Sequence, residues 1–184
     1  NIRSLAKYLQ EKYELRSSLD AIISGIRRYD IDSVSPLHSK EMAKVFSRMS
    51  ISTKDNIAKI LLKDKAFKDI CEDFIGKKTL RENCRIVKSK ETVTLIVNMK
   101  DFEKKKSLFK DADVLDVQQN LSEIRLQFPK DISQIKGISA RIAGELAMRD
   151  VNIEDEIYSM PELLIYVKEN SLVSAHHALL EIKK

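Results

Sequence analysis

Between Glu123 and Phe128 the sequence alternates strictly. Ile124, Leu126 and Phe128 are apolar, Glu123, Arg125 and Gln127 are polar, and Pro129 ends the run. A period of two is the repeat of a β-strand, so this segment predicts a strand with one buried and one wet face. The period then changes. Ser139 to Arg149 predicts a helix with Ile142, Leu146 and, on its flank, Ala143 toward a sheet, and Ile138 stands just ahead of it. Val151 to Tyr158 and Leu163 to Lys168 predict two strands joined across Ser159-Met160-Pro161, and Ser171 to Ile182 a second helix. The order is βαββα, an antiparallel sheet with helices on one face.

The same order precedes it. Asn56 to Leu62 predicts a strand, Ala66 to Ile75 a helix with Phe67, Ile70, Cys71 and Phe74 at helical spacing, and Cys84 to Val87 a second strand. A hairpin leads through Lys88 to Lys90 into Thr92 to Val97, whose β-branched residues favour the pleated state. Asp101 to Phe109 predicts a helix, and Val114 to Gln118 a closing strand. The chain therefore reads as an α+β protein with two tandem ferredoxin-like units, βαββαβ over residues 50–119 and βαββα over 120–184. The second unit lacks its last strand. In this topology the last strand lies beside the first, so residues 124–128 are expected to present an open edge, and an open edge invites pairing. A homodimer with sheets joined side by side, or further chain, is the expected remedy.

Residues 1–49 are helical in pattern. Leu5 and Leu9, then Leu19, Ile22, Ile23 and Ile26, predict helices at 3–13 and 18–29, and Ser17 or Ser18 is placed to cap the second. Ser35-Pro36 starts a third, with Leu37, Met42, Val45, Phe46 and Met49 on its buried side. Three helices in this order suit a helix-turn-helix domain, and equally a small bundle or a dimerisation arm. Arg16 in the turn, with Arg27, Arg28 and Tyr29 ending the second helix, are the candidate contacts to phosphates and base edges of double-stranded DNA. Residues 1–48 carry a net +3 and 49–119 a net +4, while 120–184 carry −2, so positive charge favours the first two thirds. That imbalance permits nucleic-acid contact and also suits a plain solvated surface.

Several functions find no support. Gly25, Gly76, Gly137 and Gly144 are the only glycines, so there is no Gly-rich phosphate loop, and no nucleophile sits in a recognisable elbow. Cys71 and Cys84 form no CxxC pair, and adjacent His176 and His177 point about 100° apart on a helix, so no metal site or cofactor is signalled. Asp155 alternates away from Glu154 and Glu156, which makes that acidic run a wet strand rather than a metal cluster. No apolar run approaches the roughly 20 residues that span a bilayer, so a cytoplasmic, non-enzymatic protein is expected. The start at Asn1-Ile2, already in helical register, reads as a fragment that has lost its first element.

Gly137-Ile138-Ser139-Ala140-Arg141-Ile142, then Leu146, Val151-Asn152-Ile153, Ser159, Glu162, Ile165-Tyr166-Val167 and Glu169 resemble, in order and spacing, the ACT domains that end aspartokinases. The likeness covers residues 121–184 closely and 50–119 by element order. The Ser4-Leu5-Ala6-Lys7-Tyr8-Leu9 run is similar to the start of uncharacterised archaeal proteins joining helix-turn-helix and tandem ACT modules. The resemblance implies a regulatory protein that binds an amino acid or similar small metabolite between the first strand and first helix of a module, across an interface between modules. It also places contacts at Asn152 and Ile153.

The residues give their own reason for a site there. The amides of Ile138, Ser139 and Ala140 begin a helix, where unpaired N–H groups and the dipole favour a carboxylate, and Gly137 lets a ligand approach the backbone. Asp131, in the loop before, is placed to pair with an ammonium group. The equivalent loop of the first unit, Lys63 to Ala66, has no glycine and predicts no such site. The expected protein is an amino-acid-responsive transcriptional regulator. The alternative is a regulatory or scaffolding subunit that dimerises through its ACT modules, binds a partner protein and leaves DNA alone.

Overall fold

The structure is a computed structural model, and it describes residues 2–28, 36–67, 84–129 and 135–183. Tyr29, Ser35, Cys71 and Asp131, and the predicted helix beyond its first turn at 64–67, lie outside the described residues. The chain forms two compact units, 1–42 and 43–184.

In the first unit, α1 (Ile2–Lys12) and α2 (Leu19–Arg28) pack together, with Ala6 and Ile23 buried. α1 ends because Glu14 adopts a left-handed φ of 48°, which lets the Leu15 amide bond back to the Gln10 carbonyl at 3.0 Å and satisfy the last turn. Of the two candidate caps it is Ser18 that acts, its Oγ accepting from the Ala21 amide at 3.2 Å. α3 (Pro36–Arg48) starts on the proline, as expected, and its last turns belong to the second unit. There Val45, Phe46 and Met49 are buried, with the Phe46 ring 6.5 Å from that of Phe128.

The second unit is built on one six-stranded antiparallel sheet in the order β2-β3-β1-β4-β6-β5. The strands are β1 (Ser50–Lys63), β2 (Cys84–Lys88), β3 (Thr92–Asn98), β4 (Val114–Gln127), β5 (Asp155–Ser159) and β6 (Glu162–Lys168). The helices are α4 (Met99–Lys106), α5 (Ile138–Met148) and α6 (Leu172–Ile182). Phe102 of α4 packs with Ile60, Leu62, Leu95 and Val97 over one half of the sheet. Over the other half α5 and α6 pack together, with Ile142, Leu146, Ala175 and Leu179 buried alongside Ile124, Leu126, Leu163 and Ile165 of β4 and β6.

The two longest strands correct the sequence reading. The two strands expected at 114–118 and 124–128 are parts of one strand, β4, and β1 begins six residues before the predicted Asn56. Its added stretch, Ser50 to Lys54, pairs with Glu123 to Gln127. That is the place beside β4 where the absent last strand was expected, so the 124–127 edge is closed by the same chain and gives no argument for a dimer. Among the described residues the edge strands are β2 and β5. Where β1 and β4 pass from one half to the other, the register shifts around Ile57, and Asn56 and Asn120 adopt left-handed φ values of 58° and 57°. Asparagine tolerates that region better than most residues, and such bulges bend strands.

Candidate functional site

Gly137 has φ 85° and serves as the N-cap of α5, and its carbonyl accepts from the Arg141 amide at 2.9 Å. Being a glycine, it caps this end with no side-chain bond of its own. Ser139 is inside the helix and is not its cap. Ile138 is buried, anchoring the turn, while Gly137 and Ala140 are exposed and Ser139 is half-buried. The first amides of α5 therefore open next to a surface turn whose backbone only glycine holds without strain.

Asn152 and Ile153 follow the other end of α5. The helix rises about 1.5 Å per residue over its length, which puts them about 16 Å from the Gly137 turn along its axis. Asn152 is exposed and its Nδ2 donates to Glu154 Oε1 at 2.9 Å; Ile153 is half-buried. One chain does not bring these two sets together. In the first unit, Arg16 is exposed in the turn between α1 and α2, and Arg27 and Arg28 occupy the last turn of α2.

A polar cluster that sequence reasoning did not anticipate occupies the sheet face away from α4 to α6. Glu123 was expected on a wet face, yet it is only 4% exposed. Its carboxylate accepts two bonds from Arg85, Nη1 to Oε2 at 2.5 Å and Nη2 to Oε1 at 3.1 Å, and a third from the buried Tyr166 hydroxyl at 2.8 Å. Asp155, expected on a wet strand, accepts from Lys59 Nζ at 3.3 Å, and that ammonium also donates to the Glu154 carbonyl at 3.0 Å. Ile57, Ile96, Leu121, Leu164 and Tyr166 form an apolar cluster around these pairs, with Ile157 at its margin. Burial, reinforced by the Glu123 carboxylate, pushes the Tyr166 phenol far above its usual range.

These contacts measure the sheet's curvature. Arg85 and Glu123 lie on β2 and β4, and Lys59 and Asp155 on β1 and β5, each pair three strands apart. Three spacings of about 4.8 Å amount to ~14 Å across a flat sheet, more than these side chains span when they stand off it. The sheet is curled at the Asn56 and Asn120 bulges, and the curl turns a face that would be wet into a second core. The only local signal was compositional: Arg85 and Glu123 are opposite charges on strands otherwise rich in apolar residues.

Two cavities border this bend. One, of about 540 Å³, is lined by Gln119, Asn120, Lys168, Glu169 and Asn170. The other, of about 200 Å³, is lined by Lys54, Ile57, Cys84, Arg85, Ile96, Val97 and Asn98. The Cys84 thiol is raised by burial, an effect Lys105 opposes. Among the described residues no cluster of three or more His, Cys, Asp or Glu is placed to hold a metal ion, and no helix is long and apolar enough to cross a membrane.

No protein-family model and no curated protein matches the sequence. Solved structures do match in shape. Aspartate kinase of Clostridium acetobutylicum, an allosteric enzyme, superposes with a TM-score of 0.60 at 14% identity over 73% of this chain and 34% of that one. This chain thus spans about a third of that kinase. The regulatory subunit of aspartate kinase from Thermus thermophilus matches with a TM-score of 0.55 at 13% identity, over 73% of this chain and 97% of the subunit. The C-terminal regulatory domain described for the Porphyromonas gingivalis enzyme matches at 0.52 and 20% identity, over 71% and 94%. The fold is that of aspartokinase regulatory domains. Two of these three matched structures are regulatory parts alone, and the likeness in fold covers 71–73% of this chain.

Proposed function

We propose that this protein is a metabolite-sensing regulator whose two ACT-like modules respond to an amino acid, and whose helical segment passes the response to double-stranded DNA. The observation that carries the sensing role is the Gly137 turn, a left-handed glycine opening onto the first amides of α5 in a fold shared with aspartokinase regulatory domains. Helix-start amides favour a carboxylate. Asp131 is proposed as the partner of the ligand's ammonium group. Because Asn152 and Ile153 lie at the far end of α5, a ligand that meets both sets needs a second copy of the chain, and a homodimer is proposed on that ground. Ligand binding then shifts the dimer toward the arrangement it binds more tightly.

The test is a thermal-shift panel of the twenty amino acids on the full chain. At a hundred times its dissociation constant, a ligand stabilises by about 2.7 kcal/mol. Ala140→Glu puts a competing carboxylate at the exposed first turn of α5 and is expected to abolish the shift without loss of folding. A panel that shows no stabilisation at millimolar concentration ends the sensing proposal for these ligands. For DNA, duplex titrations at two salt concentrations should weaken with salt and with Arg16→Ala, Arg27→Ala and Arg28→Ala.

A second reading is favoured by the surface of the first unit. Leu5, Tyr8, Tyr13 and Leu15 are all exposed there, and a partner protein covers such side chains more readily than a phosphate backbone does. In that reading the protein is a regulatory subunit that binds a protein and no DNA. Tyr8→Ser with Tyr13→Ser would then abolish partner capture while leaving any duplex binding intact.

A further inference from the structure

We infer that the facing surfaces of the two halves of the sheet form a charge-coded recognition pair, and that two copies of this chain can exchange them, each first half closing on the second half of the other copy. The first half holds β2, β3, residues 57–63 of β1 and residues 114–118 of β4. The second holds β5, β6, residues 121–127 of β4 and residues 50–54 of β1.

The halves correspond row by row. In the first, Lys59, Ile96 and Arg85 stand opposite one another on β1, β3 and β2. In the second, Glu123, Tyr166 and Asp155 stand opposite one another on β4, β6 and β5. Lys59 and Glu123 each lie two residues past the position where pairing begins, Ile57 and Leu121, and each of those follows an asparagine with left-handed φ, Asn56 and Asn120. Directly opposed residues of an antiparallel ladder share a face, so one row is cationic at both ends and the other anionic at both ends. The curl lays the rows together end for end. Lys59 meets Asp155 at 3.3 Å, and Arg85 meets Glu123 at 2.5 and 3.1 Å. Ile96 and Tyr166, the middle members, share the apolar cluster between the pairs.

This arrangement selects partners. A first half laid on another first half would set Lys59 against Arg85, and a second half on another second half would set Asp155 against Glu123. Like charges brought together at an interface are strongly unfavourable, so only a first half on a second half pairs every charge.

The code requires one half of each kind, but not from one chain. The chain passes between the halves twice, in β1 and in β4, and the ladder between these strands shifts register at both passages, around Ile57 and Asn120. A few residues that absorb a change of backbone angle make a hinge, and exchanging an identical contact between copies is a low-cost route to a dimer. Uncurling leaves each half its own ladders and helices, α4 in the first and α5 with α6 in the second. It bares the apolar cluster, which a second copy covers with the same residues. This contact is separate from the Gly137 turn.

The test reverses the code in full-length chains. One variant carries Lys59→Asp with Arg85→Glu, and the other Glu123→Arg with Asp155→Lys. Alone, each sets like charges together in its closed form and is expected to melt well below the wild type. When the two are refolded together from urea in equal amounts, each first half finds a second half of opposite charge only in the other variant. The mixture is expected to show mixed pairs in native mass spectrometry, well beyond the half share of random pairing, with the melting temperature returned most of the way to that of the wild type. A chain carrying all four substitutions is expected to recover it unaided. A four-substitution chain that stays destabilised overturns the charge code. Recovery there without recovery in the mixture, or mixed pairs in random proportion only, overturns the exchange.

Discussion

Lys59 on β1 and Asp155 on β5 stand three strands apart in the sheet, and their charged groups meet at 3.3 Å. Lysine and aspartate are both largely buried at this contact, with side-chain exposures of 13% and 29%. By contrast Arg125 and Glu162, paired on neighbouring strands, are exposed. A double-mutant cycle to alanine is expected to give a coupling of about 1 kcal/mol for Lys59 and Asp155, and about 0.3 kcal/mol for Arg125 and Glu162. Equal couplings would show that the curl does not shield the inner pair from water.

Glu123→Ala leaves Arg85 and Tyr166 without their acceptor. Breaking a buried ion pair costs roughly 3–5 kcal/mol, but the Arg85 side chain is 40% exposed and can turn to water, so about 2 kcal/mol is expected. For a chain of this size that lowers the melting temperature by roughly 4–8 °C, measurable by calorimetry. Arg85→Ala should cost at least as much as Glu123→Ala, since it leaves the buried Glu123 carboxylate with only the neutral Tyr166 hydroxyl and no opposite charge.

Tyr166 sets an alkaline limit. Its folded pKa lies far above the unfolded value of about 10, so folded and unfolded chains bind the same protons below about pH 10 and stability is unaffected there. Above about pH 10 the unfolded phenol loses its proton while the folded one keeps it, and stability falls as pH rises. Denaturant midpoints measured from pH 8 to 11 should show this decline, and Tyr166→Phe should flatten it at a cost near neutrality of about 1 kcal/mol.

Asn120 bends β4 with a φ of 57°. Asn120→Gly is expected to be nearly neutral, whereas Asn120→Val places a β-branched residue in the left-handed region and should cost about 1–3 kcal/mol by urea unfolding. Similar values for the two variants would contradict the bend.

Ser50 to Lys54 close the edge of β4. A chain of residues 43–184 keeps that strand and should give a concentration-independent elution profile in size-exclusion chromatography up to its assembly state. A chain of residues 57–184 exposes 123–127 and should aggregate with rising concentration. If both behave alike, the edge is not protected by this pairing.

The sequence by itself determined the local elements. Alternation at 124–128, the β-branched run at 92–97 and helical spacing at 139–149 each report a neighbour one turn or one pleat away, and all appear in the structure within a few residues. Ser18, Pro36 and Gly137 likewise act through bonds or torsions next to them in the chain. Tertiary structure alone decided where β1 begins and what lies beside β4, because Ser50 to Lys54 lack apolar alternation and gain their strand from a ladder with residues some seventy positions away. It also decided that Glu123 is buried. Periodicity tells which side of a strand a residue takes, but whether that side is wet depends on curvature, and here two asparagine bulges fold the open face onto itself.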